Sequence, residues 1–125
     1  METVFIDPGS AIPLADLQAL LARHWPVEQT RSGALVIQEG GTRLYAYHDP
    51  PEGPERLGRL GLDYSSLALL RKVLALVADR PDVAVDNDFG TVLPGDRFVA
   101  LLRERPDWDW RREPSRSPRP ERPGS

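Results

Sequence analysis

Three oxygen-bearing side chains stand in a row at Asp86, Asn87 and Asp88, followed by Gly90 and then Asp96. The stretch Val83-Ala-Val-Asp-Asn-Asp-Phe-Gly-Thr-Val-Leu-Pro-Gly-Asp96 reads as a short apolar strand, a polar turn and a Pro-led helix start. That order predicts that the four polar side chains converge around one tight turn. Asp and Asn oxygens suit Ca²⁺ or Mg²⁺. Gly90, however, occupies the place of a further ligand, and no bidentate Glu follows at calcium-loop spacing. A second chemistry for the same residues is recognition of a basic partner. A third is turn chemistry alone: Asp and Asn bond their own backbone, Gly90 takes a φ closed to Phe, and Thr91 or Asp96 caps the next helix.

The other reactive side chains point nowhere specific. His24 falls at the end of a helical run, where packing or capping explains it. His48 precedes Asp49, but neighbours on an extended segment face opposite ways and do not chelate together. No nucleophile accompanies His48. Ser10, Ser32, Ser65 and Ser66 sit at turns or caps, without a Gly-x-Ser-x-Gly elbow. Gly58-Arg-Leu-Gly61 lacks the Lys-Ser/Thr of a phosphate loop. There is no Cys, which excludes disulfides and thiolate chemistry. No catalytic residue, metal or cofactor is expected.

Aromatic residues supply the remaining signal. Tyr45 and Tyr47 alternate with Leu44 and Ala46, the period of a half-exposed strand. In Pro106-Asp-Trp-Asp-Trp110 two Trp alternate with Asp. Trp108 and Trp110 either clamp the edge of the core or leave one ring as a contact anchor. Tyr45, Tyr47, Trp108 and Trp110 therefore join Asp86, Asn87, Asp88 and Asp96 as candidate partner-binding residues.

The elements that position them follow from periodicity. Thr3–Asp7 reads as a strand stopped by Pro8-Gly9. Pro13 opens a helix with Leu14, Leu17, Leu20 and Leu21 at helical spacing. Ala34–Gln38 and Thr42–Tyr47 flank Glu39-Gly40-Gly41, a hairpin signal, and Val27–Arg31 extends the sheet. Residues 48–62 hold three Pro and three Gly and read as a long exposed loop. A second helix starts near Asp63 or Tyr64 and ends at Ala78, with Asp63, Ser65 and Ser66 as cap candidates. Its apolar face is Leu67, Leu70, Val73, Leu74 and Val77. Val83–Val85 forms a last strand, and a third helix turns Phe98, Leu101 and Leu102 inward. The expected fold is α+β in the order β-α-β-β-α-β-α: a ferredoxin-like or related antiparallel sheet with helices on one face. Residues 1–110 form one domain. Residues 111–125, rich in Pro, Arg and Ser without a large apolar residue, form a disordered tail.

Composition narrows the partners. Residues 1–110 carry 17 acids against 11 bases, and residues 111–125 carry 2 acids against 5 bases. An acidic body argues against nucleic acid, which needs clustered cations. No apolar run approaches the roughly 18 residues of a membrane span, and the N-terminus lacks the basic and apolar segments of a secretory signal. A cytoplasmic location is expected. Arg supplies all the basic residues except Lys72, a bias of GC-rich bacterial genomes.

The stretch Val85-Asp-Asn-Asp-Phe-Gly-Thr-Val-Leu-Pro-Gly-Asp-Arg-Phe98 resembles a segment of small bacterial proteins, some of which are similar to immunity proteins of polymorphic or contact-dependent toxin systems. The resemblance is confined to this segment. It implies a small α+β cytoplasmic inhibitor without an enzymatic centre. Its partner would be a toxin domain, and an acidic body complements a basic one. The basic tail is outside that pattern. The competing expectation is a small-ligand-binding or regulatory α+β domain that uses the sheet face, or the 48–62 segment as a lid.

Overall fold

Alternation along the strands divides the chain into an apolar side and a mixed side. The computed structural model describes residues 1–49 and 58–112. Its strands are β1 (Glu2–Asp7), β2 (Glu28–Gln29), β3 (Leu35–Glu39), β4 (Thr42–Asp49), β5 (Arg59–Tyr64), β6 (Ala84–Asp86) and β7 (Val92–Pro94). Its α-helices are α1 (Leu14–Leu21), α2 (Leu67–Val77) and α3 (Gly95–Glu104). The fold is α+β, with one seven-stranded sheet in the order β2-β3-β4-β5-β1-β6-β7. Every neighbouring pair is antiparallel.

Val4, Ile6, Leu35, Ile37, Leu44, Ala46, Leu60, Leu62, Tyr64 and Val85 point to the helices and join one core cluster with Leu17, Leu70, Val73, Leu74 and Phe98. The β3–β4 hairpin closes through Gly40 and Gly41 at φ 58° and 80°, a turn whose two positive φ values suit Gly. Ser66 caps α2, its hydroxyl accepting from the Leu69 amide at 3.3 Å. The expected apolar face of α2 is buried at Leu70, Val73, Leu74 and Val77, and Leu67 packs against the core half-buried. In α3, Phe98, Leu101 and Leu102 are inward as predicted. None of the helices among the described residues is long and apolar enough to cross a membrane.

Three elements differ from those expected from the sequence. The stretch read as a loop over 48–62 contains β5, an internal strand between β4 and β1; residues 50–57 of it lie outside the described residues. Consequently α2 starts at Leu67, not near Asp63, because the chain is still extended through Tyr64. The turn after β6 leads into a further short strand, β7, before α3. The four strands of the expected order, with their extension over Val27–Arg31 present as β2, become seven, and β1 is antiparallel to both of its neighbours.

The C-terminal segment completes the core. Trp108 and Trp110 are 4% and 0% exposed. The Trp110 indole N–H donates to the Tyr64 hydroxyl at 2.8 Å, and its ring meets Phe98 edge-on at 5.7 Å. The Arg71 guanidinium donates to the carbonyls of Leu102, Arg105 and Trp108, tying the end of α3 and the clamp to α2. Arg111 and Arg112, assigned to the tail from sequence, belong to a closed turn: the Arg112 amide donates to the Asp109 carbonyl at 3.1 Å, and Arg111 pairs with Asp109 at 3.2 Å. Residues 113–125 of the expected tail lie outside the described residues.

Trp110→Ala removes this aromatic wedge and is expected to cost about 3–5 kcal/mol. Tyr64→Phe leaves a buried indole N–H without its acceptor and is expected to cost about 1–3 kcal/mol. Urea denaturation checks both. A Trp110→Ala variant within about 0.5 kcal/mol of wild type, the range of neutral surface changes, would show that the clamp adds nothing to the core.

Candidate functional site

The helices cover one side of the sheet, and the strand register lays out the residues on the other. One row across it is Val36, Tyr45, Asp63 and Thr3. The next is Tyr47, Gly61, Phe5, Asp86 and Val92. Gly61 has a specific reason to be Gly: a Cβ there would stand 2.7 Å from the Tyr47 ring, too close for real atoms. The ring therefore lies over the strand backbone and reaches the neighbouring row. Its hydroxyl donates to Asp63 Oδ1 at 2.7 Å, and the Thr3 hydroxyl donates to the same oxygen at 2.7 Å. Asp63 Oδ2 accepts no hydrogen bond from the described residues.

Beside this cluster lies a groove of about 340 Å³ lined by Thr30, Ser32, Ala34, Tyr45, Tyr47 and Asp63. Its far wall is the turn between β2 and β3. There the Thr30 and Ser32 hydroxyls stand 2.9 Å apart, and Thr30 Oγ1 accepts from the Ala34 amide at 3.1 Å. At the other end of the face, the Arg59 guanidinium lies over the Phe5 ring, 3.7 Å from its centroid, and approaches the Asp49 carboxylate at 3.9 Å. By strand alternation the open face carries the carboxylates Asp7, Glu28, Asp49, Asp63 and Asp86, against the guanidiniums of Arg43 and Arg59. Burial, then the hydrogen bond to Asp63 and its charge, push the Tyr47 phenol up to about 12.

The four polar residues of the Asp86–Asp96 stretch do not converge. Asp86 points to the open face beside Phe5, and its Oδ1 accepts from the Asp88 amide at 2.8 Å. Asn87 is 0% exposed and turns inward. Its side-chain oxygen accepts from the amides of Phe89 at 2.9 Å and Thr91 at 3.1 Å. Its side-chain nitrogen is buried without a partner among the described residues. Asp88 is exposed at the tip with φ 63°, and Gly90 has φ 96°. Asp96 sits in the first turn of α3, where a carboxylate complements the helix dipole. Its amide donates to the Arg80 carbonyl at 3.1 Å. The N-cap position is Pro94, without a side-chain bond, and the Asp96 carboxylate accepts from the first-turn amide of Arg97 at 2.9 Å. The turn chemistry anticipated for Asp86, Asn87 and Gly90 is present.

His48 belongs to the core side, 7% exposed, with Nε2 placed to donate to the Ile12 carbonyl at 3.2 Å. Asp49 faces the opposite way, toward Arg59. His24 is exposed beyond the end of α1 rather than packed on its apolar side. Among the described residues, no group of three or more His, Cys, Asp or Glu is placed to hold a metal ion. Tyr45, Tyr47 and Asp86 thus share the open face. Trp108 and Trp110 do not reach it: both rings are buried, as the clamp reading has it, and neither is left as an exposed anchor.

Sequence reasoning passed over Asp63, Thr3, Phe5 and Gly61. The signal for them was the alternation Arg59-Leu-Gly-Leu-Asp-Tyr64, which puts Leu60, Leu62 and Tyr64 on one side and Arg59, Gly61 and Asp63 on the other. Comparison of the chain with protein-family models, with curated proteins and with solved structures gives no match.

Three outcomes follow from these contacts. Tyr64 is also pushed up to about 12, chiefly by burial. From the ordinary value of 10.0 up to about 12, the unfolded chain has released phenol protons that the folded chain retains. The unfolded state then binds fewer protons, so unfolding free energy should fall as pH rises through this window and be flat in this contribution below it. Tyr47→Phe should reduce that slope, as read from urea midpoints against pH. In the turn, Asn87→Ala strips two amides of their buried acceptor and should cost about 1–3 kcal/mol. Asp88→Asn, at an exposed tip, should stay within about 0.5 kcal/mol of wild type by the same assay.

Proposed function

We propose that the chain is a non-enzymatic protein-binding module whose open sheet face receives a basic partner. The observation that carries this reading is the composition of that face: half-buried Phe5, Tyr45 and Tyr47 interleaved with an excess of carboxylates, on a sheet whose other side is fully committed to the core. Rigid aromatics with few rotamers contribute contact area at low entropic cost, and charge complementarity speeds encounter. The most specific form of the reading is a cytoplasmic bacterial immunity protein that neutralises a cognate toxin domain. It draws on the resemblance of residues 85–98 and on this face. Within it, Asp86 contributes charge from the face itself and Asp88 from the adjoining tip, while Asn87 and Asp96 hold the turn and the α3 start behind them.

The groove beside Asp63 favours a second reading, a small-ligand or regulatory domain. Its mark would be thermal stabilisation of the chain by a small ligand without a protein partner.

The test compares immobilised wild type with a Tyr45→Arg variant of confirmed fold in lysate of the native host. Wild type should retain a basic protein that the variant loses, and association of the purified pair should slow as salt rises, since steering is screened over about 8 Å at physiological ionic strength. Co-production should restore growth to cells poisoned by the retained protein. Equal retention by the variant, or an association rate indifferent to salt, contradicts the reading.

A further inference from the structure

The groove on the open face has the chemistry of a receptor for one particular side chain. Asp63 is anchored by two hydroxyl donors on a single oxygen, so its carboxylate is fixed in place before any ligand arrives. The other oxygen accepts nothing from the described residues. Tyr45 and Tyr47, both half-buried, supply aromatic walls, and the Thr30 and Ser32 hydroxyls stand opposite as acceptors. Arg59, a cation of the same face, is already committed to Phe5 and Asp49 and does not neutralise Asp63. That arrangement is informative in itself: elsewhere on this face the chain lays its own guanidinium flat on an aromatic ring beside a carboxylate.

We propose that the groove lined by Tyr45, Tyr47, Asp63, Thr30 and Ser32 seats an arginine side chain of the protein partner, its guanidinium on Asp63 and stacked against tyrosine. The inference rests on the reading of the open face as a protein-binding surface and names the group that the face recognises. Arginine fits better than lysine for two reasons. Its planar, weakly hydrated head stacks on rings, and its fork of donors serves a carboxylate and a hydroxyl together. An ammonium is compact and strongly hydrated, and would give up more water to enter a half-apolar groove. A groove of about 340 Å³ has room for the side chain with its stem.

The probe is the peptide acetyl-Gly-Arg-Gly-amide, titrated into the isotope-labelled full chain and followed by amide and tyrosine-ring NMR. Saturable shifts confined to Thr30, Ser32, Tyr45, Tyr47 and Asp63 are expected, with a dissociation constant on the order of 1 mM for so small a ligand. The citrulline peptide, isosteric but uncharged, should bind at least about tenfold more weakly, and the lysine peptide should fall between the two. Asp63→Asn keeps an oxygen for Thr3 and Tyr47 and so keeps the fold; it should weaken the arginine peptide by the same tenfold. Equal binding of citrulline, unchanged affinity in Asp63→Asn with a native spectrum, or shifts centred elsewhere overturn the proposal. So do open-face signals that move with protein concentration alone, the sign of a second copy in the groove. The peptide arms need no partner. If they fail while Tyr45→Arg still abolishes partner retention, the arginine assignment falls and the binding face stands; the reverse pattern removes the partner reading instead.

Discussion

Strand β5 carries a constraint that both sides of the sheet depend on: its six residues must satisfy the core and the open face at once. Leu60, Leu62 and Tyr64 are 0% exposed and pack under the helices. Between them, Arg59, Gly61 and Asp63 meet Phe5, Tyr47 and Thr3 on the far side. Because side chains alternate strictly, a slip of one residue would bury Arg59 and Asp63 and expose three large apolar groups. Burial of an unpaired charge and loss of core area both oppose that slip. The register that seals the core is therefore the register that presents Asp63 between two tyrosines.

Contacts on the core side hold β5 in that register. Tyr64 accepts from the Trp110 indole, and Arg71 on α2 gathers the last carbonyls of α3 and of the clamp. The same residue pair links the C-terminal clamp to the strand whose outer face is the candidate site. On the opposite flank, Glu39 at the end of β3 accepts from the Trp25 indole at 3.0 Å and pairs with Lys72 of α2. The Lys72 hydrogen bond, then that of Trp25, holds the Glu39 carboxyl below its usual range. Both flanks of α2 are thus fastened to chain segments beyond the sheet centre.

Much of this was legible from sequence where periodicity was clean. The Gly40-Gly41 hairpin, the apolar face of α2 and the inward Phe98, Leu101 and Leu102 all follow from spacing, because local pattern and tertiary packing agree there. β5 was hidden because Gly58, Gly61 and the nearby prolines are turn-formers by local propensity. Gly61 is demanded by the Tyr47 ring, a contact that no window around residue 61 contains. Asp63 was misplaced for the same reason: with β5 unread, it looked like a helix cap. At Asp86–Asp88 the turn itself was legible, but residue type could not tell an inward Asn87 from an outward Asp86. The Trp pair shows a related limit. Spacing of two would put both rings on one side of an extended strand, but this segment is turn and coil, so the joint burial of Trp108 and Trp110 is set by their packing on each other and on Phe98, which local pattern does not contain.

The central proposal is that a partner binds chiefly on the open sheet face, with Asp86 on it and Asp88 at its margin, and not on the clamp. Hydroxyl-radical footprinting of the chain with and without its retained protein partner reads the aromatic side chains directly. The account predicts slowed oxidation of Phe5, Tyr45 and Tyr47 in the complex, with Trp108 and Trp110 slow in both states because they are buried. Protection at Phe89 with Phe5, Tyr45 and Tyr47 unchanged would contradict it and move the binding surface to the turn.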